Sequence, residues 1–504
     1  MKKVGFNNEK YLKEQTEYIL ERAGCFDNKL YLEFGGKLIF DYHASRVLPG
    51  FDPNSKIRLL QRLKDNLDIV IAIYAGDIER RKMRADFGIT YDANTLKLID
   101  DLREWDLDIS AVVITRYEEQ PAVLQFLNKL KRRNIQVYTH RAIKGYPTDV
   151  DLIVSDEGYG SNEFIQTGKP IVVVTGPGPG SGKMATCLSQ VYHEHKRGNQ
   201  AGYAKFETFP IWNLPLKHPV NITYESATAD LGDYNQVDPF YLEATGEIAI
   251  NYNRDIEVFP IVRRIMKRIM GSDIYNSPTE MGVNRAGFAI IDDNIVRKAC
   301  KQELIRRFLR YRCEYAMGLT ERKTVQRSEL LMKELNLTPL DRIVVGSARD
   351  TATEAEKKGK GSDGIYVGSA IELPNKKIVT GKNSSLMHAA SALVLNSIKV
   401  LANIPDEIHL LSPNIIESIR KLKSNILNNK KVSLNLGETL IALSISADFN
   451  PTAKLAMEKL KELKDCEIHI THMPTPGDED GLRRLGVNIT SDPNFSSKRL
   501  FLSA

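Results

Sequence analysis

The sequence predicts an α/β protein. A mostly parallel sheet with a P-loop-like strand–loop–helix forms an N-terminal domain, and a smaller C-terminal α/β domain follows. Three observations carry this expectation. Short Val/Ile-rich runs alternate with helical patterns through the first half of the chain, as in a parallel sheet covered on both faces. One such run ends in a glycine-rich loop that opens a helix. A second α/β stretch begins after a long helical section.

In chain order, residues 8–23 read as an amphipathic helix. Runs 29–34 and 37–41 flank Gly35-Gly36 and read as a hairpin. A helix near 54–66 precedes the strand 68–75 (DIVIAIYA), and a helix near 92–104 precedes 109–115 (ISAVVIT). A helix near 119–132 leads to a strand at 135–139, and strands at 151–155 (DLIVS) and 170–175 (PIVVVT) follow. Residues 254–270 and 296–316 read as long helices, and 272–296 carries no clear period. The second α/β stretch opens with a strand at 342–347 (RIVVGS). It continues with helices at 386–402 and 414–427, a strand at 438–446, a helix at 450–464 and a strand at 467–471. The expected domains are 1–330, ending in a helical section from about 254, and 331–504.

Length and composition narrow the function. A chain of 504 residues corresponds to about two to four domains. With 42% hydrophobic and 27% charged residues, it is neither disordered, collagen-like nor a disulfide-stapled miniprotein. A net charge of +6 is too small to indicate a nucleic-acid binder by itself. The five cysteines, Cys25, Cys187, Cys300, Cys313 and Cys466, form no CxxC pair, which excludes zinc-ribbon and thioredoxin motifs. The start MKKVGFNNEKYLKEQ has no apolar signal core. The apolar runs fall well short of the ~20 residues that span a bilayer. A cytoplasmic protein without membrane segments is expected.

The most informative stretch is PIVVVTGPGPGSGKMATCLSQ. A buried strand ends at Thr175, a loop runs through Gly176, Gly178, Gly180, Ser181 and Gly182, and a helix begins at Lys183. Backbone N–H groups at a helix start have no intrahelical partner, and with the helix dipole they favour an anion. Glycines let the chain curl around that anion, and Lys183 adds positive charge. The loop departs from GxxxxGK[ST]. Pro177 stands where the first glycine belongs, and Met184 stands where Ser or Thr would hold Mg²⁺. Thr186, two residues on, lies about 200° around the helix and does not replace that ligand.

The segments TGPGPGSGKMATCLSQ, FDYHASRVLPGFDP (40–53), ESATADLGDYNQVDPFYLEA (225–244) and NSSLMHAASALVLNSIKVLA (383–402) resemble the bacterial domain-of-unknown-function family numbered eighteen forty-six. The resemblance covers essentially the whole chain. It implies an N-terminal domain with a smaller C-terminal one, and no established activity. Some members carry an ATP-dependent peptidase label, which this chain does not support. It has no HExxH and no GxSxG, and His193 and His195 are spaced i, i+2 on a helix, about 200° apart.

Other residues offer chemistry. Asp41, His43 and Arg46 follow a strand and suit acid–base work and anion binding, against a purely structural turn. Asp156, after the strand at 151–155, is a metal candidate against simple helix capping. The segment 225–244 carries Glu225, Asp230, Asp233, Asp238 and Glu243. It reads equally as a Mg²⁺ or substrate wall, with Asp230 a ligand, and as a surface loop. Gly346, Ser347, Arg349 and Thr351 form a further strand–turn–helix start. Ser384 or Ser385 reads as the N-cap of a helix carrying His388, and His472 reads as structural. Residues 297–327 hold ten Lys/Arg against three Glu, and a solvated or domain-bridging helix is favoured there over an RNA or acidic-ligand surface.

The expected function is binding of a phosphate-bearing small molecule at 176–186, ATP or another nucleotide with Mg²⁺, in an ATP-dependent ligase or kinase. The catalytic candidates are Lys183, His43 and Asp41. The loop residues Gly176, Gly178, Gly180, Ser181, Gly182, Lys183, Met184 and Thr186 would hold the cofactor. The alternative is a non-catalytic protein sensing a nucleotide or metabolite. A homo-oligomer without nucleic-acid or membrane partners is expected.

Overall fold

A computed structural model describes residues 4–27, 29–84, 89–429 and 431–498. The basic start read from Met1, Lys2 and Lys3 lies outside the described residues. The chain forms two compact units, Met1–Cys300 and Lys301–Ala504.

The first unit contains strands β1 (Leu30–Phe34), β2 (Leu67–Tyr74), β3 (Met83–Arg84), β4 (Ile89–Thr90), β5 (Ala111–Thr115), β6 (Val137–His140), β7 (Ile171–Thr175), β8 (Gly202–Phe206), β9 (Asn235–Val237) and β10 (Ile250–Tyr252). Six of them make one sheet in the order β6-β5-β2-β7-β1-β8, and every pairing in it is parallel. Strands β5 and β7 are buried at every position, as expected where both sheet faces are covered. The pairs β3–β4 and β9–β10 are short antiparallel ladders.

Strand order places the glycine-rich loop. From β2 the chain moves outward to β5, whereas from β7 it moves the other way, over β1 to β8. The carboxyl ends of β2 and β7 therefore flank a topological switch point, where open α/β sheets leave a crevice. The glycine-rich loop leaves β7 at that point.

The second unit contains β11 (Gly368–Glu372), β12 (Ile378–Lys382), β13 (Glu467–Ile470) and β14 (Asn488–Ser491), in the order β12-β11-β13-β14. Only β13–β14 is parallel. A separate core fills this unit, centred on Ile371, Leu393, Val394, Leu443 and Ile468.

Four expected elements are corrected. There is no hairpin at Gly35-Gly36: β1 already has a parallel neighbour on each side, so 37–41 finds no free edge and runs irregularly. The stretch 151–155 forms no strand: its first part lies in the helix Val150–Ile153, which Asp149 caps through Leu152 N at 3.0 Å. Residues 342–347 open the helix Ile343–Lys357, whose buried Val344, Val345 and Ala348 follow a helical rather than an alternating period. Residues 438–446 lie in the helix Leu436–Ala447, started by a capping box between Asn435 and Glu438. Short apolar runs do not distinguish strand from buried helix, and local capping decided two of these cases, at Asp149 and Asn435.

Candidate functional site

The helix Lys183–Lys196 starts at Gly182, which holds φ +93° in the left-handed region. Gly180 holds φ +75°. These are the conformations for which glycine is needed. A Cβ at Gly182 would meet Thr115 at 2.8 Å, and one at Gly178 would meet the Tyr91 ring at 2.5 Å. At Gly180 there is open space.

Neighbouring strands orient the loop by binding its carbonyls. Thr115 Oγ1 donates to Ser181 O at 2.8 Å, Arg116 Nη2 to Gly180 O at 2.5 Å, and Lys183 Nζ to Gly178 O at 3.4 Å. Arg116 is itself stacked on Tyr74, 3.4 Å from the ring centroid. With the carbonyls engaged, the amides of Gly178, Gly180, Ser181, Gly182, Lys183 and Met184 donate to no acceptor among the described residues. Ser181 Oγ is buried and likewise makes no hydrogen bond. It sits under Gly176, where a Cβ would lie 2.6 Å away. Thr186 is buried and its hydroxyl returns to Gly182 O at 3.0 Å. Met184 is half-buried.

Beneath Lys183 lies a polar cluster that motif reading missed. Strand alternation places Tyr31 and Glu33 of β1 and Tyr203 and Lys205 of β8 on one sheet face, because their registers match pairwise. Tyr203 Oη donates to Glu33 at 2.7 Å. Lys205 Nζ donates to Asp255 at 2.5 Å and to the Tyr252 hydroxyl, and it lies 3.3 Å from Glu207. Tyr252 Oη donates to Glu207 at 2.9 Å. Arg254 and Asp233 pair beside them at 2.7 Å. A cavity of about 50 Å³ opens against Lys205, Glu207 and Asp255, with Trp212, Asn251 and Asn284 in its wall.

Electrostatics separate the roles of these groups. Burial raises the Glu207 carboxyl above its ordinary range, and Asp255 and Glu33 add to the rise against Lys205 and Tyr252. Burial works against the Lys205 charge, yet Asp255, Glu207 and Glu33 outweigh it and hold the ammonium well above its usual range. Burial lowers Lys183, with Glu33 and Glu207 opposing and Lys205 adding. The cluster thus combines a firmly held cation with a carboxyl poised to take a proton.

The misread glycines belong here too. A Cβ at Gly35 would strike Glu207 at 2.8 Å, and one at Gly36 would strike Lys56 Nζ at 2.6 Å. Lys56 pairs with buried Asp41 at 2.9 Å, and Asp41 also accepts Ala44 N at 3.1 Å. Burial alone would raise the Asp41 carboxyl, but Lys56 and His43 bring it below its ordinary range. His43 packs against Phe209 and Tyr224, with ring centroids 5.5 and 6.3 Å away. Asp41 and His43 therefore stand by the carboxyl ends of β1 and β8, beside the Glu207 cluster.

Both metal candidates lie elsewhere. Asp156 accepts Tyr192 Oη at 2.7 Å and lies 3.2 Å from Lys196. Tyr192 is nine residues beyond Lys183, about 13 Å along the helix axis, so Asp156 serves the far end of that helix. The hydrogen bond from Tyr192 and then Lys196 lower its carboxyl. Asp230 is exposed in the turn Ala229–Leu231. Asp233 is the member of the 225–244 segment that approaches Lys205 and Asp255. Asp238 instead caps the helix Pro239–Thr245 and binds Thr279. No group of three or more His, Cys, Asp or Glu among the described residues is arranged to hold a metal ion.

In the second unit Gly346 and Ser347 lie inside a helix, and Arg349 forms a two-pronged pair with Asp492 at 2.9 and 2.6 Å. The helix Ala389–Leu401 has His388, not Ser384 or Ser385, at its N-cap. Ser384 Oγ instead closes a turn by accepting Leu386 N and Met387 N. His388 Nδ1 lies 2.6 Å from Asp478. His472 lies against Thr471 at 3.1 Å. Within the basic run at 297–327, buried Glu303 binds Arg306 at 2.6 and 2.7 Å and Arg307 at 3.2 Å, while Lys298, Lys301, Arg322 and Lys323 are exposed. His193 and His195 bind separate carbonyls, Asn162 O and Ala201 O. No helix of the described residues is long and apolar enough to cross a membrane.

Fold and loop together define a two-unit α/β protein with a P-loop-like strand–loop–helix at the switch point of a parallel sheet. Family models described as "Domain of unknown function DUF1846, N-terminal" and "Domain of unknown function DUF1846, C-terminal" match residues 4–336 and 340–501. The chain belongs to the DUF1846 family. It is 57% identical over 500 residues to a "UPF0371 protein" of Clostridium botulinum (strain Kyoto / Type A2). It is 56% identical over 500 residues to another of Clostridium tetani (strain Massachusetts / E88). Both alignments cover 99% of each chain.

Proposed function

We propose that this protein binds a phosphate-bearing small molecule, ATP or another nucleotide, on the loop 176–186. One observation carries the reading. The carbonyls of Gly178, Gly180 and Ser181 are tied to Lys183, Arg116 and Thr115, which leaves a run of amides without a protein acceptor at a helix start. An anion there completes those donors and meets the positive end of the helix dipole. Lys183 neutralises phosphate charge, and the Glu207 cluster offers a proton acceptor beside it. In a ligase or kinase, Glu207 rather than Asp156 would accept the proton of the attacking group, and Asp41 and His43 would support that wall. The residues fit phosphate, but Asp156 and Asp230 do not form a Mg²⁺ set at the loop.

The second reading is a sensor that binds the nucleotide or metabolite without turnover. Met184, at the position of the missing Mg²⁺ hydroxyl, and the remoteness of Asp156 favour it.

Thermal-shift titration with inorganic phosphate, ATP and GTP, with and without Mg²⁺, tests binding. The wild type is expected to be stabilised and Lys183→Ala to respond weakly. A phosphate-release assay separates the two readings. A wild-type melting temperature that no phosphate compound moves at millimolar concentration would sink both.

A further inference from the structure

The helix Leu436–Ala447 of the second unit buries Leu436, Thr439, Ala442, Leu443, Ser446 and Ala447 in its core face. The opposite side is also apolar. Ile441 is 62% exposed, Ile445 is exposed, and Phe449, just past the helix end, is 86% exposed. The three follow an i, i+4, i+8 spacing and form one ridge. No charged residue occurs from Thr439 to Ala447.

The helix Pro413–Lys421, with its continuation Leu422–Ile426, runs antiparallel alongside. Ser412 N donates to Ser446 Oγ at 3.2 Å at one end, and Lys423 Nζ pairs with Glu438 at 2.8 Å at the other. It exposes Leu422, Ile426 (71%) and Leu427.

We propose that this helix pair is the two-fold interface of a homodimer. Its occupant is a second copy of the chain, and three physical features select it. A ridge of i±4 side chains packs into the groove of an identical ridge in the commonest helix–helix class, so the surface complements itself. Between Thr439 and Ala447 the ridge carries no charge, so this stretch meets no like charge in its own image, and exposed Asp448 marks its rim. The third feature is area. At roughly 200 Å² for a fully exposed large side chain, the six residues present about 730 Å². That is more than a typical monomer's largest patch of about 300–600 Å². Doubled by symmetry it becomes about 1,450 Å², within the ~1,200–2,000 Å² of a stable interface.

Sedimentation equilibrium of the full chain at micromolar concentration tests this. Wild type is expected at twice 56.8 kDa, Ile441→Asp/Phe449→Asp at the monomer mass, and the control Ile291→Asp, at an exposed site in the first unit, at the dimer mass. Circular dichroism checks that the double variant is folded. If it is not, the milder Ile445→Gln/Phe449→Gln pair must still shift the equilibrium toward monomer at least tenfold. A monomeric wild type overturns the proposal, including the case in which the ridge serves a different protein. A folded ridge variant that stays dimeric overturns it as well.

Discussion

Replacing Gly182 with alanine should both destabilise the first unit and disable the loop, whereas the same change at Gly180 should do little. The two glycines share a left-handed backbone, at φ +93° and +75°, so each substitution carries about 1 kcal/mol of conformational cost. Their surroundings differ. The Gly182 Cβ would sit 2.8 Å from the Thr115 side chain, and the Gly180 Cβ would meet nothing within 4 Å. Thr115 is buried, stiff at χ1 and committed to Ser181 O, so it does not rotate away freely. Overpacking of this kind costs about 1–3 kcal/mol more. The expected losses are therefore about 2–4 kcal/mol for Gly182→Ala and about 1 kcal/mol for Gly180→Ala. Urea unfolding of both variants gives the stabilities, and phosphate titration gives binding. Gly182→Ala should lose binding because moving Thr115 frees the carbonyl it holds. Gly180→Ala should keep affinity within a few-fold. Equal stability losses, or a Gly182→Ala protein that binds normally, would refute the reasoning.

Further outcomes follow from buried charges. Burial lowers the His140 pKa to about 4 from 6.5, with Glu163 O opposing and His193 adding. Its neutral form stabilises the fold above pH 6.5, and about 3 kcal/mol is lost as pH falls toward 4. Urea midpoints measured over that window should flatten in His140→Gln. Glu207 has the opposite sign: its raised carboxyl favours the fold below its ordinary range, and this is lost as pH rises. Glu207→Gln should therefore gain stability relative to wild type between pH 5 and 8, and a flat difference in melting temperature would count against the raised carboxyl. Glu303→Gln leaves Arg306 and Arg307 buried beside a weaker partner and should cost about 3–5 kcal/mol by urea unfolding. RNA retention on a filter should not depend on Arg306 or Arg307.

The loop was legible because its signal is local: four alternating glycines and a lysine between a β-branched run and a helix. The long helices 254–270 and 296–316 were legible for the same reason, a sustained period. The Glu207 cluster was not, since Glu33, Lys205, Glu207, Tyr252 and Asp255 come from three separate stretches, joined by the β1–β8 register and by the bonds of Lys205 and Glu207 to Tyr252 and Asp255. The available hint was Gly35-Gly36, read as a turn, whereas each glycine makes room for a charged side chain, Glu207 or Lys56. Asp156 lies away from the loop because it is held by Tyr192 and Lys196 near the far end of the loop helix, and in the basic run at 297–327 Arg306 and Arg307 bind Glu303.

Local chemistry alone determined where most strands and the long helices of the first unit lie and where the glycine-rich loop turns into a helix start. It did so because periodicity, capping and glycine conformation act over a few residues. The tertiary structure decided which carboxylates face Lys183, which loop carbonyls are occupied and which apolar helix side is left in water. Those depend on strand order and parallel register, which bring together residues far apart in the chain, such as Glu33 and Lys205.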